Sequence, residues 1–197
     1  MRFTEAMQTV TRHGDHWQAT VSEDWLQGRS AFGGLQAALA LRAMREQVPA
    51  DMPLRSLQIT FIAPVPAGSV TIQAQRLREG RSAIQVEASL CDGAQTLCRL
   101  VGVFGSARPS LLNIQPVQPP VASTTAPEVP YVEGRMPAFT QHFRLHWLRG
   151  DLPFSGGHQR DSVVQLSLRD DGQPDETHVL AFADFIPPIA LSMFATP

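Results

Sequence analysis

The feature that most constrains the fold is a helical segment within residues 25–44 that is apolar on more than one side. Leucine, alanine and methionine fill most positions after Gly33-Gly34, and Arg42 is the only charged residue between Gly33 and Met44. A surface helix has one apolar stripe, whereas a helix that is apolar on most sides is buried. At about 15 residues the helix is too short to span a bilayer. The chain must therefore enclose this helix within its own structure.

The start of this helix is suited to holding a polar ligand group. Gly33 and Gly34 lower helix stability, but they allow a ligand to approach the backbone closely. The free N–H groups of a helix N-terminus attract anions and polarised carbonyl oxygens. A pair of glycines could equally serve close packing of the helix start against a strand.

The composition and charge exclude several classes of protein. The chain has 197 residues, of which 43% are hydrophobic and 17% charged, and a net charge of −2. Such a chain builds a core and has no basic surface for nucleic acid. All 16 basic residues are arginine, so Schiff-base chemistry, a Walker-type phosphate loop and a Ser-Lys dyad are excluded. The N-terminus lacks the apolar core of a signal peptide, and we expect a cytoplasmic protein without a membrane span.

The region after the helix alternates apolar and polar residues with the period of two that half-buried strands show. Short turns rich in glycine and proline separate the runs, and short turns join antiparallel neighbours. Because a flat sheet covers only one side of a helix, a twisted sheet must curl around it. We therefore predict an α+β fold in which an antiparallel sheet wraps a central helix. The predicted strands are at about 16–21, 57–61, 70–75, 84–90 and 96–104.

The second half of the chain repeats this outline and then stops. We divide the chain into an N-terminal unit (1–106), a Pro-rich linker (107–137) and a partial C-terminal unit (138–197). Alternation from Phe139 to Trp147 and around 164–168 predicts two strands, and residues 179–194 form an apolar, helix-like segment. The sheet that would bury this helix has no counterpart in the sequence. We expect that the second unit is truncated, or else that another chain supplies the sheet.

Several short motifs along the chain resemble one protein family. They are Trp25, Gly28-Arg29, Ala31-Phe-Gly-Gly34, Thr60-Phe61 followed by Pro64, Glu79-Gly-Arg-Ser82, and Ala183-Asp184 followed by Pro187-Pro188. Their order and spacing resemble those of the type II acyl-CoA thioesterases and, more closely, of the thioesterase-like double hot-dog proteins. The resemblance covers about residues 10–195.

This resemblance implies a tandem double hot-dog fold, in which two sheet-wrapped helices pack side by side and acyl-CoA or a related acyl thioester is hydrolysed between them. It implies that Asp184 matches the catalytic aspartate, and that Phe32, Gly33 and Gly34 match the helix start that binds substrate. The family's other catalytic partners, a hydroxyl residue and a glutamine, lie on strands that follow the second helix. It also implies association into a homo-oligomer, and it requires no cofactor and no metal.

Asp184 is also distinctive on its residues alone. It is the only charged residue between Val179 and Phe194, and a carboxylate in such surroundings must be paired, hydrogen-bonded or shifted in pKa. It could act as a general base or as a nucleophile on the thioester. It could instead cap a helix that Pro187 ends or begins. Phe32 has a similar alternative, as a core residue.

Two other functions and a metal site remain to be weighed. A hot-dog scaffold can bind an acyl thioester or a lipid without catalysis, because fold does not determine function. A dehydratase would need a histidine paired with an acid at the helix. No histidine lies near the first helix, and His178 is about one and a half turns from Asp184 on the second helical segment, a poor geometry for one site. His13 and Asp15-His16 have ligand-like spacing, but no second pair of ligands accompanies them, and we expect no metal.

Overall fold

The computed structural model describes residues 1–112, 114–117 and 125–196. Three α-helices and ten strands form its regular structure, with three 3₁₀ turns of helix at Glu23–Trp25, Ala138–His142 and Ile189–Met193. The helices are α1 (Phe3–Gln8), α2 (Gly33–Arg45) and α3 (Glu176–Ala183). The strands are β1 (Thr11–His13), β2 (His16–Val21), β3 (Leu26–Gln27), β4 (Ser30–Ala31), β5 (Leu54–Phe61), β6 (Gly68–Glu79), β7 (Ala83–Asp92), β8 (Gln95–Gly105), β9 (Phe143–Arg149) and β10 (Val163–Leu168).

The main sheet has six strands in the order β1-β2-β6-β7-β8-β5, and every neighbouring pair is antiparallel. The five predicted strands of the first half are all present in it. Buried side chains alternate with more exposed ones along β2 and the first half of β7, as period-two strands with one wet face require. The sheet packs against α2 through β6, β7 and β8. The predicted sheet around a central helix is therefore confirmed.

Helix α2 is buried on almost every side. From Gly33 to Met44 every residue is buried except Arg42. The curved sheet covers part of the helix surface, and α1 and α3 pack against other parts of it. The central helix is thus enclosed jointly by the N-terminal sheet and by a helix that comes from the far end of the chain.

Aromatic side chains fill the space between the two halves of the chain. Phe32 stacks on Phe139, with ring centroids 4.0 Å apart and planes 3° apart. Phe143 lies edge-on to both rings and is tilted against Phe185, at 4.6 Å. All four side chains are buried. Because aromatic pairs of this kind contribute large buried areas, the second half is part of the core that surrounds α2.

Two expectations about the second half are wrong in detail. Phe139 lies in the 3₁₀ turn Ala138–His142, and only the residues from Phe143 onward form the predicted strand. The helix-like segment 179–194 is divided, since α3 ends at Ala183 and a separate 3₁₀ turn covers Ile189–Met193. Pro187 and Pro188 stand between the two pieces and cannot donate the backbone hydrogen bonds that would continue the helix.

In the residues that the structure describes, the second half contributes the β9–β10 pair, α3 and two 3₁₀ turns. The linker is not wholly separate from it, because the Val129 N–H donates a hydrogen bond to the Leu145 carbonyl beside β9. None of the helices in the described part is long and apolar enough to cross a membrane.

Helices α2 and α3 run in opposite directions and contact each other at both ends. At the end of α2, the Arg45 guanidinium forms an ion pair with Glu176 in the first turn of α3. Arg45 also donates to the Met52 carbonyl at 2.7 Å and lies over the Phe104 ring. At the start of α2, the contact is with the residue that follows α3, Asp184. These two contacts fix α3 along the length of α2.

Burial of α2 predicts a sharp contrast between two of its residues. Leu39→Ala should lower the free energy of unfolding by about 2–5 kcal/mol, because it leaves a cavity at a fully buried site. Arg42→Ala, on the exposed side of the same helix, should change it by less than about 0.5 kcal/mol. Urea unfolding followed by circular dichroism measures both. Equal effects of the two substitutions would mean that α2 is not enclosed as described.

Candidate active site

The predicted site residues Gly34 and Asp184 meet at the N-terminus of α2. The Gly34 N–H donates a hydrogen bond to Asp184 Oδ2 over 2.9 Å, although 150 positions separate the two residues in the sequence. The carboxylate therefore satisfies one of the free N–H groups that open a helix, at the end where the helix dipole favours negative charge. Asp184 itself is the C-cap residue of α3.

A Cβ atom would be too close to other atoms at both glycines, but the neighbours that it would meet differ. A Cβ atom at Gly33 would lie 2.6 Å from Asp184 Oδ2 and 2.7 Å from Phe61 Cζ. A Cβ atom at Gly34 would lie 2.6 Å from Phe32 Cε1 and 2.9 Å from the Cα atom of Ala181 in α3. Gly33 thus leaves room for two side-chain ends, and Gly34 leaves room for the backbone of the neighbouring helix.

The Asp184 carboxyl is exposed to solvent on one side and held against protein on the other. Partial desolvation raises its pKa, and the hydrogen bond from the Gly34 N–H, which favours the ionised form, opposes that rise. The pKa of the carboxyl lies above its ordinary value as a result. A carboxylate with a raised pKa is a stronger base than an ordinary aspartate, and only one of its oxygens is bonded to Gly34.

Asp184 and Gly33 line an open cavity of about 340 Å³. The walls also include Phe61 and Ile62 from the end of β5, with Gln36 from the first turn of α2. Phe61 is 53% exposed and Ile62 55% exposed, so an apolar surface borders the carboxylate. The cavity therefore combines a carboxylate, a helix N-terminus and an apolar wall.

The two glycine N–H groups that the sequence offered as oxyanion donors are not equivalent. The Gly34 N–H is already bonded to Asp184. No residue in the described part of the chain accepts a hydrogen bond from the Gly33 N–H. Gly33 is thus the donor that remains available to a carbonyl oxygen at the cavity.

Phe32, the third predicted substrate-binding residue, points elsewhere. Its side chain is fully buried in the aromatic cluster with Phe139 and Phe143. It is not among the residues that line the cavity with Gly33. Its backbone occupies the N-cap position of α2, directly before Gly33.

Sequence reasoning missed Gln36, whose side chain is 3% exposed. Its Nε2 group donates to the Ala31 carbonyl over 2.7 Å and to Ser30 Oγ over 3.4 Å. The signal was present in the sequence, because a glutamine on an otherwise apolar helix needs a polar partner once it is buried. Only the position of the cavity connects it with Asp184.

The histidines do not combine with acidic residues into a metal site. His13 and His16 lie on the exposed β1–β2 hairpin, where Asp15 bonds His16. His142 stacks on Trp25, with ring centroids 4.1 Å apart. His178 bonds Asp175 at the start of α3. Among the described residues no group of three or more His, Cys, Asp or Glu side chains has the geometry to hold a metal ion.

Comparison with known proteins places this arrangement in a family context. Residues 21–105 match the family model of the acyl-CoA thioesterase N-terminal domain. Over these residues the chain is similar to an acyl-CoA thioesterase N-terminal domain. The match includes Gly33, Gly34 and Phe61 but ends before Asp184, so the predicted resemblance is confirmed for the thioesterase domain and the role of Asp184 stays a prediction. A search of curated proteins finds no significant match.

Solved structures extend the likeness over nearly the whole chain. A hot-dog-fold protein of unknown function from Alicyclobacillus acidocaldarius superposes with a TM-score of 0.81 at 20% identity, covering 99% of this chain and 73% of that one. A candidate thioesterase II from Thermobifida fusca gives 0.72 at 20% identity, with 98% and 74% covered. An acyl-CoA thioesterase II from Mycobacterium marinum gives 0.64 at 16% identity, with 91% and 66% covered. The thioesterase domain and the residues that follow it therefore share the hot-dog fold of these proteins.

The two glycines of the thioesterase domain should respond differently to alanine. Gly34→Ala should lower the free energy of unfolding by about 1–3 kcal/mol, because its Cβ meets backbone of α3 that cannot move alone. Gly33→Ala should cost clearly less, since its Cβ meets the ends of two exposed side chains that can turn away. Chemical denaturation of both variants measures the difference.

The two substitutions are matched controls for each other, because both replace glycine by alanine in the first turn of α2. An equal loss of stability would contradict the close approach of α3 to Gly34.

Proposed function

We propose that this protein hydrolyses acyl thioesters of the acyl-CoA type, with Asp184 as the general base. The observation that carries the proposal is the contact between the Asp184 carboxylate and the N-terminus of α2, at a cavity with an apolar border. The match of residues 21–105 to the acyl-CoA thioesterase N-terminal domain supports the choice of a thioester over other acyl compounds.

The proposed reaction uses the two features of the site separately. The thioester carbonyl oxygen would accept a hydrogen bond from the Gly33 N–H, where the helix dipole stabilises the negative charge that develops on it. Asp184 would take a proton from a water molecule as the water oxygen forms a bond to the carbonyl carbon. Collapse of the tetrahedral intermediate breaks the C–S bond, and the departing thiolate takes up a proton. The products are a carboxylic acid and a thiol.

The apolar border of the cavity would hold the acyl group. Phe61 and Ile62 expose large apolar surfaces beside Asp184, and covering them with an acyl chain removes that surface from water. A bound acyl chain would also exclude water from the side of the Asp184 carboxylate that faces these residues. The further desolvation would raise the pKa of Asp184 and make it a stronger base.

Hydrolysis of a panel of acyl-CoA esters, followed by release of free thiol, tests the proposal. Asp184→Asn keeps the size of the side chain and an oxygen for the Gly34 N–H, but it removes the base. It should lower kcat by about 100-fold or more while the affinity for acyl-CoA stays within a few-fold. Asp51→Asn, an exposed carboxylate beyond the other end of α2, is the matched control and should retain the wild-type rate.

The pH dependence of hydrolysis should reflect the raised pKa of Asp184. A general base must be ionised to accept a proton. Because the pKa of Asp184 is raised, the carboxyl is already protonated at pH values at which an ordinary aspartate is still ionised. The value of kcat/KM should therefore fall toward low pH with an apparent pKa above the value of about 4 for an ordinary aspartate. This acidic limb should be missing from the residual activity of Asp184→Asn. Its persistence in the variant would exclude Asp184 as the base.

The contact between Gly34 and Asp184 is also compatible with a second function, the binding of acyl thioesters or lipids without catalysis. The hydrogen bond from the Gly34 N–H to Asp184 is also what a purely structural cap would make. A non-catalytic protein that binds acyl thioesters or lipids would show the same geometry. Binding of acyl-CoA without thiol release, with Asp184→Asn reducing stability rather than turnover, would establish that function instead.

We also propose that the protein associates into a homo-oligomer. Among the residues that the structure describes, strand β5 pairs only with β8 and forms one edge of the six-stranded sheet. A strand edge of eight residues offers unpaired backbone groups to a second copy. Size-exclusion chromatography with light scattering should give a mass of twice 21.6 kDa or a higher multiple. A mass of one chain at micromolar concentration would contradict the proposal.

A further inference from the structure

The end of strand β5 places an aromatic ring directly against the start of α2. A Cβ atom built on Gly33 would lie 2.7 Å from Phe61 Cζ and 2.6 Å from Asp184 Oδ2. One point beside Gly33 is thus less than 3.0 Å from both the edge of the ring and an oxygen of the carboxylate. The Phe61 ring and the Asp184 carboxylate are therefore close neighbours, although they come from different halves of the chain.

The backbone on both sides of this ring is held by the sheet. Phe61 is paired with Cys98 of β8, and the N–H groups of Ile62 and Ala63 both donate to the Leu97 carbonyl over 2.9 Å. The sheet therefore fixes the backbone from which the Phe61 side chain reaches α2. Because the side chain is half exposed, it gains less from apolar burial than a core residue does. Burial in the core is thus not what places the ring beside Asp184.

Access of water, and not a neighbouring charge, governs the protonation of Asp184. Desolvation raises the pKa of its carboxyl, against the opposing hydrogen bond from the Gly34 N–H. Among the described residues that line the cavity, Asp184 is the only one that carries a charge. The first turn of α2 is uncharged, Arg29 between β3 and β4 does not line the cavity, and residues 179–183 of α3 carry no charge. A group that keeps water from the carboxylate therefore has a large effect on its affinity for protons.

Phe61 has the size and the chemistry to be that group. It is the largest side chain on the described wall of the cavity, and an aromatic ring displaces water without offering a hydrogen bond in exchange. The edge of the ring carries a small positive potential, so it can stand beside an anion without repelling it. The ring thus removes water from the carboxylate and leaves the Gly34 N–H as the bonded donor.

We propose that Phe61 is a positioning residue for Asp184: its ring closes one side of the carboxylate to water, while the carboxylate stays open to the cavity. A carboxylate with fewer waters is less stabilised as an anion and takes up a proton more readily. The ring acts through Asp184 and takes no part in bond making. The shielding is a property of the protein without substrate, and only its effect on hydrolysis rests on the proposed function.

An NMR titration of the Asp184 carboxyl carbon in variants of Phe61 tests the shielding. Phe61→Ala removes the ring and should move the midpoint to lower pH, toward that of an ordinary aspartate; Phe61→Ser should do the same if the first variant does not fold. Phe61→Leu keeps an apolar side chain there and should retain most of the wild-type midpoint. Leu77→Ala, at a similarly exposed position on β6, is the control and should leave the midpoint in place. A midpoint that loss of the ring does not move, or that Leu77→Ala lowers as far, would overturn the proposal.

The pH profile of hydrolysis separates shielding by Phe61 from the proposed role of Asp184 as the base. If Asp184 is the base, the acidic limb of kcat/KM for acyl-CoA should move to lower pH in Phe61→Ala, together with the NMR midpoint. A midpoint that moves while the limb stays in place, or while no acyl-CoA ester is hydrolysed, would support the shielding and contradict the proposed function. An unmoved midpoint would overturn the shielding whatever the activity.

Discussion

The burial of α2 is the constraint on which the rest of the structure depends. Its residues are apolar on almost every side, so the chain gains stability only if something covers each of those sides. A twisted sheet reaches around part of the helix, and β6, β7 and β8 provide that cover. The remainder is covered by α1, by α3 and by the aromatic cluster around Phe32 and Phe143. Complete burial of α2, which belongs to the first half of the chain, thus depends on residues of the second half.

The need for α3 beside α2 also creates the site. Because the two helices are antiparallel and packed closely enough to require Gly34, the C-terminal end of α3 arrives at the N-terminal end of α2. Asp184 is attached to that end and is partly desolvated there, and Gly33 lines the same cavity. At the opposite ends the ion pair between Arg45 and Glu176 holds the register of the helices. Packing of the core therefore determines where the Asp184 carboxylate, the proposed base, lies relative to Gly33, the proposed oxyanion donor.

The sequence was sufficient for features that repeat locally, and insufficient for contacts between distant segments. Period-two alternation located the strands of the main sheet, and apolar residues on all sides identified α2 as buried. The end of α3 before Asp184 was harder to predict. The apolar composition of residues 179–194 favours one helix, but Pro187 and Pro188 divide the segment in the structure. Asp184 and Gly34 were each singled out, but their contact spans 150 positions and depends on how α3 packs. Gln36 went unnoticed because its burial and its hydrogen bonds to Ala31 and Ser30 arise only when the chain folds.

The most direct test of this site is an NMR titration of the carboxyl carbon of Asp184 together with the amide proton of Gly34. A carboxylate that is partly desolvated and bonded to the start of α2 should titrate above the ordinary aspartate value. The Gly34 amide should shift with the same midpoint, and Asp184→Asn should abolish that shift. A Gly34 amide that does not respond to the titration, or an ordinary pKa for Asp184, would contradict the account. Either result would mean that the Asp184 carboxylate does not bind the N-terminus of α2 in solution.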